Sequence, residues 1–187
     1  KVEVPSPGSG EASELKTISA EIVVNCAGLW GHRVGKMAGV NVPLHAAEHF
    51  YIVTENIGLP STLPVLRDPS SWIYAKEDAG KMLVGCFEPK SKPRPLNTIP
   101  EDFSFGQFEE DWEHFEPAML NAMHRIPKLE DAGIHTFFNG PESFTPDDRY
   151  ILGEAPELKN FYVAAGLNSI GIQSAGGAGK VLSEWIV

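Results

Sequence analysis

A glycine-rich segment near the end of the chain has the residue types of a ligand-binding site. A short apolar run, Phe161 to Ala165, breaks at Gly166, and a helical apolar pattern follows over residues 181–186. A strand that feeds a helix leaves backbone N–H groups unpaired, and the helix dipole favours negative charge there. Five glycines let the backbone approach a flat or phosphorylated ligand: Gly166, Gly171, Gly176, Gly177 and Gly179. The spacing fits a packed strand–helix corner equally well.

Two histidines in one β-rich segment are candidates for acid–base chemistry. His45 and His49 stand four residues apart, so in a strand both side chains point to the same face and can reach one site. A strand histidine with satisfied hydrogen bonds and no catalytic role is the alternative. The remaining histidines are predicted to be structural or on the surface: His32, His114, His124 and His135.

The elements that must position these residues begin with a predicted hairpin and a buried strand. Residues 1–4 and 17–24 have strand patterns on either side of a turn rich in Gly, Ser and Pro. Residues 22–30 are predicted to end a buried strand that opens into a helix over about residues 31–38.

The middle of the chain is predicted to form short strands and a hairpin. Strand patterns cover residues 49–54, 72–76 and 81–87, with a hairpin signal at Glu77–Gly80. A further strand is predicted at residues 134–139. These segments favour an antiparallel sheet.

One long helix and one tight turn complete the pattern. Aromatic and Met residues recur at spacings of three and four over residues 108–126, which predicts a helix that Pro117 splits or kinks and Pro127 ends. Residues 140–149 are predicted to be a tight turn rich in Pro and Asp. An Asp side chain in such a turn commonly caps backbone amides, which explains Asp147 more simply than acid–base chemistry does.

Composition limits the classes of partner. The 187 residues are 42% hydrophobic, enough for the core of one ordinary domain, and the net charge is −10. Nucleic acids and anionic membranes attract clustered Lys and Arg, so neither is an expected partner. No apolar run approaches the roughly 18 residues of a membrane span.

The two cysteines predict a reducing compartment. Cys26 and Cys86 both lie in apolar, strand-like contexts, which favours buried small hydrophobic residues over a disulfide. The cytoplasm of a bacterium or the mitochondrial matrix fits that expectation. Neither a CxxC nor an HExxH motif is present, so no metal is predicted.

Three stretches together resemble one family of flavoenzymes. They are Ile22-Val-Val-Asn-Cys-Ala-Gly-Leu-Trp30, Asn139-Gly-Pro-Glu-Ser-Phe-Thr-Pro-Asp147, and Gly166-Leu-Asn-Ser-Ile-Gly-Ile172 with Gly176-Gly-Ala-Gly179. The chain is similar over about residues 17–187 to the sarcosine and dimethylglycine dehydrogenase group of the D-amino-acid-oxidase-like family. The resemblance implies FAD as cofactor.

The resemblance also implies a fold class and its division. We expect an α+β fold in which an antiparallel substrate-domain sheet with helices is flanked by segments of an incomplete FAD-binding α/β domain. Residues 1–40 would belong to the FAD-binding domain, residues 41–138 to the substrate domain, and residues 139–187 to a C-terminal FAD-binding segment. The ADP-binding Gly-x-Gly-x-x-Gly turn of the family does not open this chain, which is therefore expected to be part of a longer protein. A tetrahydrofolate-binding region follows in many relatives.

The resemblance assigns two catalytic candidates. His49 falls where dimethylglycine-type enzymes keep an active-site histidine, and Tyr74 where they keep a tyrosine that faces the flavin. An imidazole and a phenol can hold the substrate amine in its neutral form or accept its proton, while the flavin carries the redox chemistry.

The same resemblance implies the flavin contacts. They are Ala27, Gly28, Trp30, Gly140, Gly166, Asn168, Ser169, Gly171 and Ile172. For Asn168 and Ser169 an ordinary helix N-cap is the alternative.

The chain also departs from its smaller relatives. Gln173 and Pro141 stand where monomeric sarcosine oxidases keep a carboxylate-binding lysine and a flavin-linking cysteine. Arg67 is a candidate carboxylate partner, with a structural salt bridge as the alternative.

The expected function is that of a fragment of an enzyme that oxidises an N-methyl amino acid of the sarcosine or dimethylglycine type, with hydride transfer to flavin. The isolated fragment is expected to be inactive. The electron acceptor stays open. The alternative is a non-catalytic, protein-binding relative similar to the regulatory subunit of pyruvate dehydrogenase phosphatase.

Overall fold

A computed structural model describes residues 2–4 and 14–187 of the chain, with side chains from Thr17 onward. The predicted turn at residues 5–13 and Lys1 lie outside the described residues. The strands are β1 (Val2–Val4), β2 (Glu14–Lys16), β3 (Val23–Asn25), β4 (His45–Thr54), β5 (Leu66–Asp68), β6 (Ile73–Asp78), β7 (Lys81–Cys86), β8 (Pro93–Arg94), β9 (Ile134–Phe144), β10 (Ile151–Glu154) and β11 (Phe161–Ala165). The helices are α1 (Gly31–Met37), α2 (Trp112–Arg125) and α3 (Gly171–Ile186).

A six-stranded sheet forms the larger part of the fold. Strands β5, β6, β7 and β4 pair antiparallel in that order, β9 pairs along the other edge of β4, and β8 extends the edge that β7 occupies. The β6–β7 turn places both Ala79 (φ 51°) and Gly80 (φ 83°) in the left-handed region, as a two-residue hairpin turn requires. The predicted antiparallel sheet and the α+β fold class are confirmed.

One face of this sheet builds the main hydrophobic core against α2. Phe50, Ile52 and Val84 are fully buried on the sheet, and Phe115 and Ala122 are fully buried on the helix. Alternate residues of a strand point to opposite faces, so the residues between these positions lie on the other face. The core therefore leaves one whole sheet face free for other contacts.

A smaller three-stranded sheet consists of β3, β10 and β11. In it β10 pairs antiparallel with β11, and β11 pairs parallel with β3. Val163 and Ala165 of β11 are buried in a second core with Val42 and Leu44. Helix α3 follows β11 through the turn at residues 166–170.

An ion-pair network joins β4 to the start of α2. The Glu48 side chain is almost fully buried and pairs with Arg94 and Lys92, and its Oε2 accepts a hydrogen bond of 2.7 Å from Asn139 Nδ2. Lys92 also binds Asp111, the N-cap residue of α2. This hydrogen bond raises the pKa of the Lys92 ammonium and lowers the pKa of the Asp111 carboxyl. A buried carboxylate needs such partners, because an unpaired one is strongly destabilising.

Several predicted element bounds are wrong. The second hairpin strand is Glu14–Lys16 instead of residues 17–24, and β4 begins at His45 instead of His49. The predicted turn at residues 140–149 is strand as far as Phe144, because β9 stays paired with β4 down to His45. Residues 138 and 139, between which the domain division is expected, both lie in β9, and the division itself stays a prediction.

The long helix is shorter than predicted and is not split. It begins at Trp112, after the Asp111 side chain accepts a hydrogen bond of 3.0 Å from the backbone N–H of His114. Pro117 lies in its second turn and the helix continues to Arg125. The apolar pattern includes Phe108, which lies in a loop and packs on Phe103. For this reason the helix was predicted to start too early.

The prediction that Cys26 is buried is also wrong. Cys86 is buried, whereas Cys26 is exposed beside Val23 and Val24, whose exposed fractions are 45% and 41%. β3 is an edge strand of the smaller sheet, and the other described residues leave its apolar side chains partly uncovered. An apolar sequence therefore did not predict burial at this strand. Within residues 2–4 and 14–187, no helix is long and apolar enough to cross a membrane.

Candidate functional site

The sheet face opposite the core carries the candidate catalytic residues. Cross-strand pairing places Arg67, Tyr74, Gly85 and Tyr51 in one row across β5, β6, β7 and β4. His49 lies two residues before Tyr51 and therefore points to the same face. The two-residue period of β4 buries Phe50 and Ile52 on one face of the sheet and thus places His49 on the opposite, more open face.

Tyr74 reaches His49 by crossing an intervening strand. The Tyr74 hydroxyl lies 3.0 Å from His49 Nε2, and the two rings are nearly parallel with centroids 6.2 Å apart. Between them Gly85 of β7 presents no side chain, and a Cβ added there would overlap the Tyr74 ring. The glycine is needed here for space, because its strand conformation is open to any residue.

Burial keeps Tyr74 in its neutral form. Desolvation raises the pKa of the Tyr74 phenol well above its usual range, and the nearby Cys86 and Glu142 add to the effect. A neutral phenol has one O–H to donate and lone pairs to accept with. Tyr74 can therefore donate to His49 and still accept a hydrogen bond from a ligand.

Glu142 approaches the other nitrogen of the same imidazole. Its Oε2 lies 3.3 Å from His49 Nδ1, across the β4–β9 pair. This oxygen is buried and has no hydrogen-bond partner among the described residues. Glu142 Oε2 is therefore an acceptor that lies close to His49 Nδ1 but does not form a hydrogen bond with it. Glu142 was not among the predicted site residues, although it lies within the second motif of the family resemblance.

Arg67 lies at the mouth of the cleft that His49 lines. Its guanidinium sits 5.0 Å from the centre of the Phe87 ring, and Phe87 also packs on His49 and Tyr74. No carboxylate lies within ion-pair distance of Arg67 among the residues from Thr17 onward. The structural salt bridge considered for Arg67 is therefore not formed there. His45 lines the same cleft.

A second cleft, of about 520 Å³, adjoins the first and is lined largely by small residues. It runs between the end of β11 and one face of α3, and we call it the small-residue cleft. Its lining includes Gly28, Ala165, Gly166, Gly171, Ala175, Ala178 and Gly179, together with Cys26 and Glu142. Such a lining offers a flat, mostly apolar slot beside the unpaired N–H groups of a helix start.

Asn168 and Ser169 stand between the two clefts and line both. Each has a left-handed backbone, with φ of 47° and 64°. Asn168 Oδ1 accepts a hydrogen bond of 2.9 Å from the Thr145 backbone N–H, and Asn168 Nδ2 donates to Thr145 Oγ1 at 3.0 Å. Neither residue caps α3, whose N-cap is Ile170 without a side-chain hydrogen bond. The N-cap alternative is therefore wrong. Ser169 Oγ is buried and lacks a partner among the described residues.

The structure gathers most of the predicted flavin contacts and leaves three apart. Gly28, Gly166, Asn168, Ser169, Gly171 and Ile172 line the small-residue cleft. Trp30 lines a different hollow with Arg33 and Leu96, and Ala27 lies beside Gly28 without lining the cleft. Gly140 lies in β9 opposite His49, with the Phe138 ring against it. No cluster of three metal-ligating side chains occurs within the described part of the chain.

Comparison with known proteins gives one consistent result. The model of the DAO family, "FAD dependent oxidoreductase", matches residues 2–185. The chain is 43% identical over 179 residues to 4-methylaminobutanoate oxidase (formaldehyde-forming) of Paenarthrobacter nicotinovorans, covering 95% of the chain and 22% of that protein. It is 41% identical over 179 residues to mitochondrial sarcosine dehydrogenase of Homo sapiens, covering 96% and 19%.

A further relative has a regulatory name. The chain is 38% identical over 184 residues to the mitochondrial pyruvate dehydrogenase phosphatase regulatory subunit of Mus musculus, covering 96% of the chain and 21% of that protein. The chain thus spans about a fifth of the length of these curated relatives.

Solved structures agree on the fold. L-proline dehydrogenase from P. horikoshii superposes with a TM-score of 0.72 at 22% identity, covering 89% of this chain and 42% of that chain. Glycine oxidase from Geobacillus kaustophilus gives 0.68 at 22% identity, covering 90% and 42%. At this identity the likeness concerns the fold alone.

Replacing Gly85 with Ala should displace the Tyr74 ring and break its contact with His49. The added methyl group needs the space that the ring occupies, so we expect a loss of about 1–3 kcal/mol in the free energy of unfolding. Denaturant unfolding measures that loss, and a crystal structure of the variant shows the ring. Gly176→Ala is the control, because a Cβ there meets nothing within 4 Å and should leave stability equal or higher. An unmoved Tyr74 in the Gly85→Ala variant would contradict the packing argument.

Proposed function

The chain belongs to the DAO family of FAD-dependent oxidoreductases, and from that premise we propose that it supplies the amine-binding face and part of the flavin site of an enzyme that oxidises an N-methyl amino acid of the sarcosine or dimethylglycine type. One observation carries the proposal. The hydrogen-bonded His49–Tyr74 pair stands beside a cleft of small residues, so a proton acceptor and a slot for a planar ring are adjacent.

The residues of the small-residue cleft fit the flavin part of FAD. Gly28 and Gly179 leave open space where a side chain would stand, and Ser169 Oγ is a buried hydroxyl with no partner among the described residues. The unpaired N–H groups at the start of α3 favour negative charge on a bound ring. FAD held by these residues would supply the hydride acceptor for the carbon next to the amine nitrogen.

The proton path follows from the His49–Tyr74 geometry. Only an amine with a free lone pair on nitrogen can release that hydride, so an ammonium substrate must first lose a proton. Its N–H donates to the Tyr74 oxygen while the Tyr74 O–H donates to His49 Nε2. The proton of the ammonium then moves to the Tyr74 oxygen as the phenol proton moves to Nε2. Tyr74 ends neutral, as its raised pKa requires, and the positive charge ends on His49.

We propose that Arg67 takes the carboxylate of the substrate. It lines the His49 cleft, has no anionic partner among the residues from Thr17 onward, and packs on the Phe87 ring. A guanidinium binds a carboxylate through two parallel hydrogen bonds, which also orients the ligand. Loss of the hydride leaves an iminium at the former N-methyl carbon. Water adds to that carbon and the C–N bond breaks to release formaldehyde and the demethylated amine, or the carbon passes to tetrahydrofolate; formaldehyde yield with and without tetrahydrofolate separates these routes.

Replacing Gly179 with Leu should lower flavin content about tenfold or more. A Cβ at Gly179 would meet no other atom of the described residues within 4 Å, and Gly179 lines the small-residue cleft, so in the full-length protein a leucine there should mainly take up cofactor space. Gly177→Leu is the matched control on the same helix, because Gly177 is equally open but does not line the cleft. Flavin absorbance per protein measures the content. Equal flavin content in both variants would place the ring elsewhere.

Anaerobic addition of sarcosine or dimethylglycine should bleach the flavin absorbance of the purified full-length protein, of which this chain is expected to be one part. In the His49→Ala variant we expect the rate of bleaching to fall about 10²–10⁴-fold, the usual contribution of a positioned acid–base group, with flavin content retained. Stopped-flow absorbance gives both quantities. Equal loss of flavin and of rate would refute the catalytic role. A flavin that no N-methyl amino acid reduces would refute the substrate, and a protein without flavin would favour the regulatory alternative.

Replacing Arg67 with Gln should raise the KM for an N-methyl amino acid with little change in kcat. Loss of one carboxylate contact costs about 1.5–3 kcal/mol, or roughly 10–150-fold in affinity. Arg149→Gln is the control, since Arg149 is exposed and lies outside the lining of the His49 cleft. An unchanged KM in the Arg67 variant would assign the carboxylate to another residue.

A further inference from the structure

Glu142 is half-buried, and one oxygen of its carboxylate makes an unusual contact. Its Oε2 is shielded from solvent and accepts no hydrogen bond among the described residues, yet it lies 3.3 Å from His49 Nδ1. No lysine or arginine among the residues from Thr17 onward lies within ion-pair distance of it. Among the same residues, the basic group within ion-pair distance of Glu142 is therefore the imidazole that also binds Tyr74.

We propose that Glu142 is a positioning residue that holds His49 in the tautomer with the proton on Nδ1. The effect of this tautomer on catalysis rests on the proposed function, whereas the position of the proton on His49 does not. In this arrangement Nε2 keeps its lone pair, which faces the Tyr74 hydroxyl. Glu142, His49 and Tyr74 then form one chain of donors and acceptors that points toward the substrate.

Two contacts of the imidazole require the same tautomer. A carboxylate can only accept, so Glu142 attracts an N–H at Nδ1. A neutral phenol facing Nε2 is best used as a donor, which requires an unprotonated Nε2. The opposite tautomer would set the Nδ1 lone pair against the Glu142 Oε2 lone pairs and leave this solvent-shielded oxygen without a donor, which is unfavourable.

Glu142 also prepares the site for the charge that arrives with the proton. When Nε2 takes a proton through Tyr74, the imidazolium bears N–H groups on both nitrogens. The unpaired Oε2 lies within reach of the Nδ1–H, so a small movement forms a charge-assisted hydrogen bond at that moment. The groups that face His49 are Tyr74 from β6, Phe87 after β7 and Glu142 from β9, and the cleft beyond them holds His45, Arg67 and Glu88.

The same two strands supply a matched control. At their other end, Glu55 Oε1 lies 3.4 Å from Nδ1 of His135, nearly the same distance as in the Glu142–His49 pair. Both side chains of that pair are exposed, at 59% and 49%, against 27% and 21% for Glu142 and His49. Exposed pairs contribute little because water competes for both partners.

The test is ¹⁵N NMR of histidine-labelled protein, with the His49 signals identified by their loss in His49→Gln. In the unmodified protein we expect Nδ1 to carry the proton and Nε2 to be bare. In Glu142→Gln the preference should weaken about fivefold, because a neutral amide replaces a charged acceptor and can also donate. Glu55→Gln should leave the His49 signals unchanged. An unchanged tautomer ratio in Glu142→Gln would overturn the proposal.

A second variant keeps the proposal testable if Glu142→Gln does not fold. Tyr74→Phe removes the other contact of the ring, so His49 should retain its proton on Nδ1 if Glu142 sets the tautomer. A switch to Nε2–H in that variant would show that Tyr74 sets it and would overturn the proposal. Neither readout needs flavin or substrate, so failure of the proposed oxidation leaves the tautomer result standing.

Discussion

The antiparallel pairing of β4 with β9 is the constraint on which the rest of the structure depends. Its register runs from His45 opposite Phe144 to Thr54 opposite Ile134, with one irregularity at Val53/Thr54. A shift by one residue would turn Phe50 and Ile52 outward and His49 inward. Burial of the aromatic and aliphatic residues against α2 therefore fixes the direction of His49 and Glu142 as well. The packing energy of the core on one face of the sheet therefore fixes the orientation of His49 and Glu142 on the other face.

Buried polar contacts hold the edges of that pairing in place. The Glu48 carboxylate faces Arg94, Lys92 and Asn139, which tie β8 and β9 to the same short part of β4. Lys92 continues the network to the first turn of α2 through Asp111. The helix that covers the core and the strand that bears His49 are thus connected by charges as well as by packing. Removing Arg94 would leave the buried Glu48 carboxylate with the more distant Lys92 as its only cationic partner among the residues from Thr17 onward, which should be destabilising.

Sequence periodicity was sufficient for some elements and not for others. The Glu77–Gly80 hairpin and the general position of α2 follow from local rules, since turn geometry and a helical apolar stripe are written in neighbouring residues. The pairing of His49 with Tyr74 was expected from a family resemblance, because no local pattern joins residues on strands that are not adjacent in the sheet. Gly85 and Glu142 were missed as site residues for the same reason. Their roles depend on which residue lies opposite on another strand, and the register appears only in the folded sheet. Asn168 was open to an N-cap role until its Thr145 contact was known.

The contrast between the two cysteines has a practical consequence for labelling chemistry. Burial, together with the neighbouring Glu88, raises the pKa of the Cys86 thiol, so little of the reactive thiolate forms there. Cys26 is exposed at the rim of the small-residue cleft. A maleimide dye or spin label would therefore attach at one predictable position without prior mutagenesis. Its signal would report directly on what enters the cleft between β11 and α3.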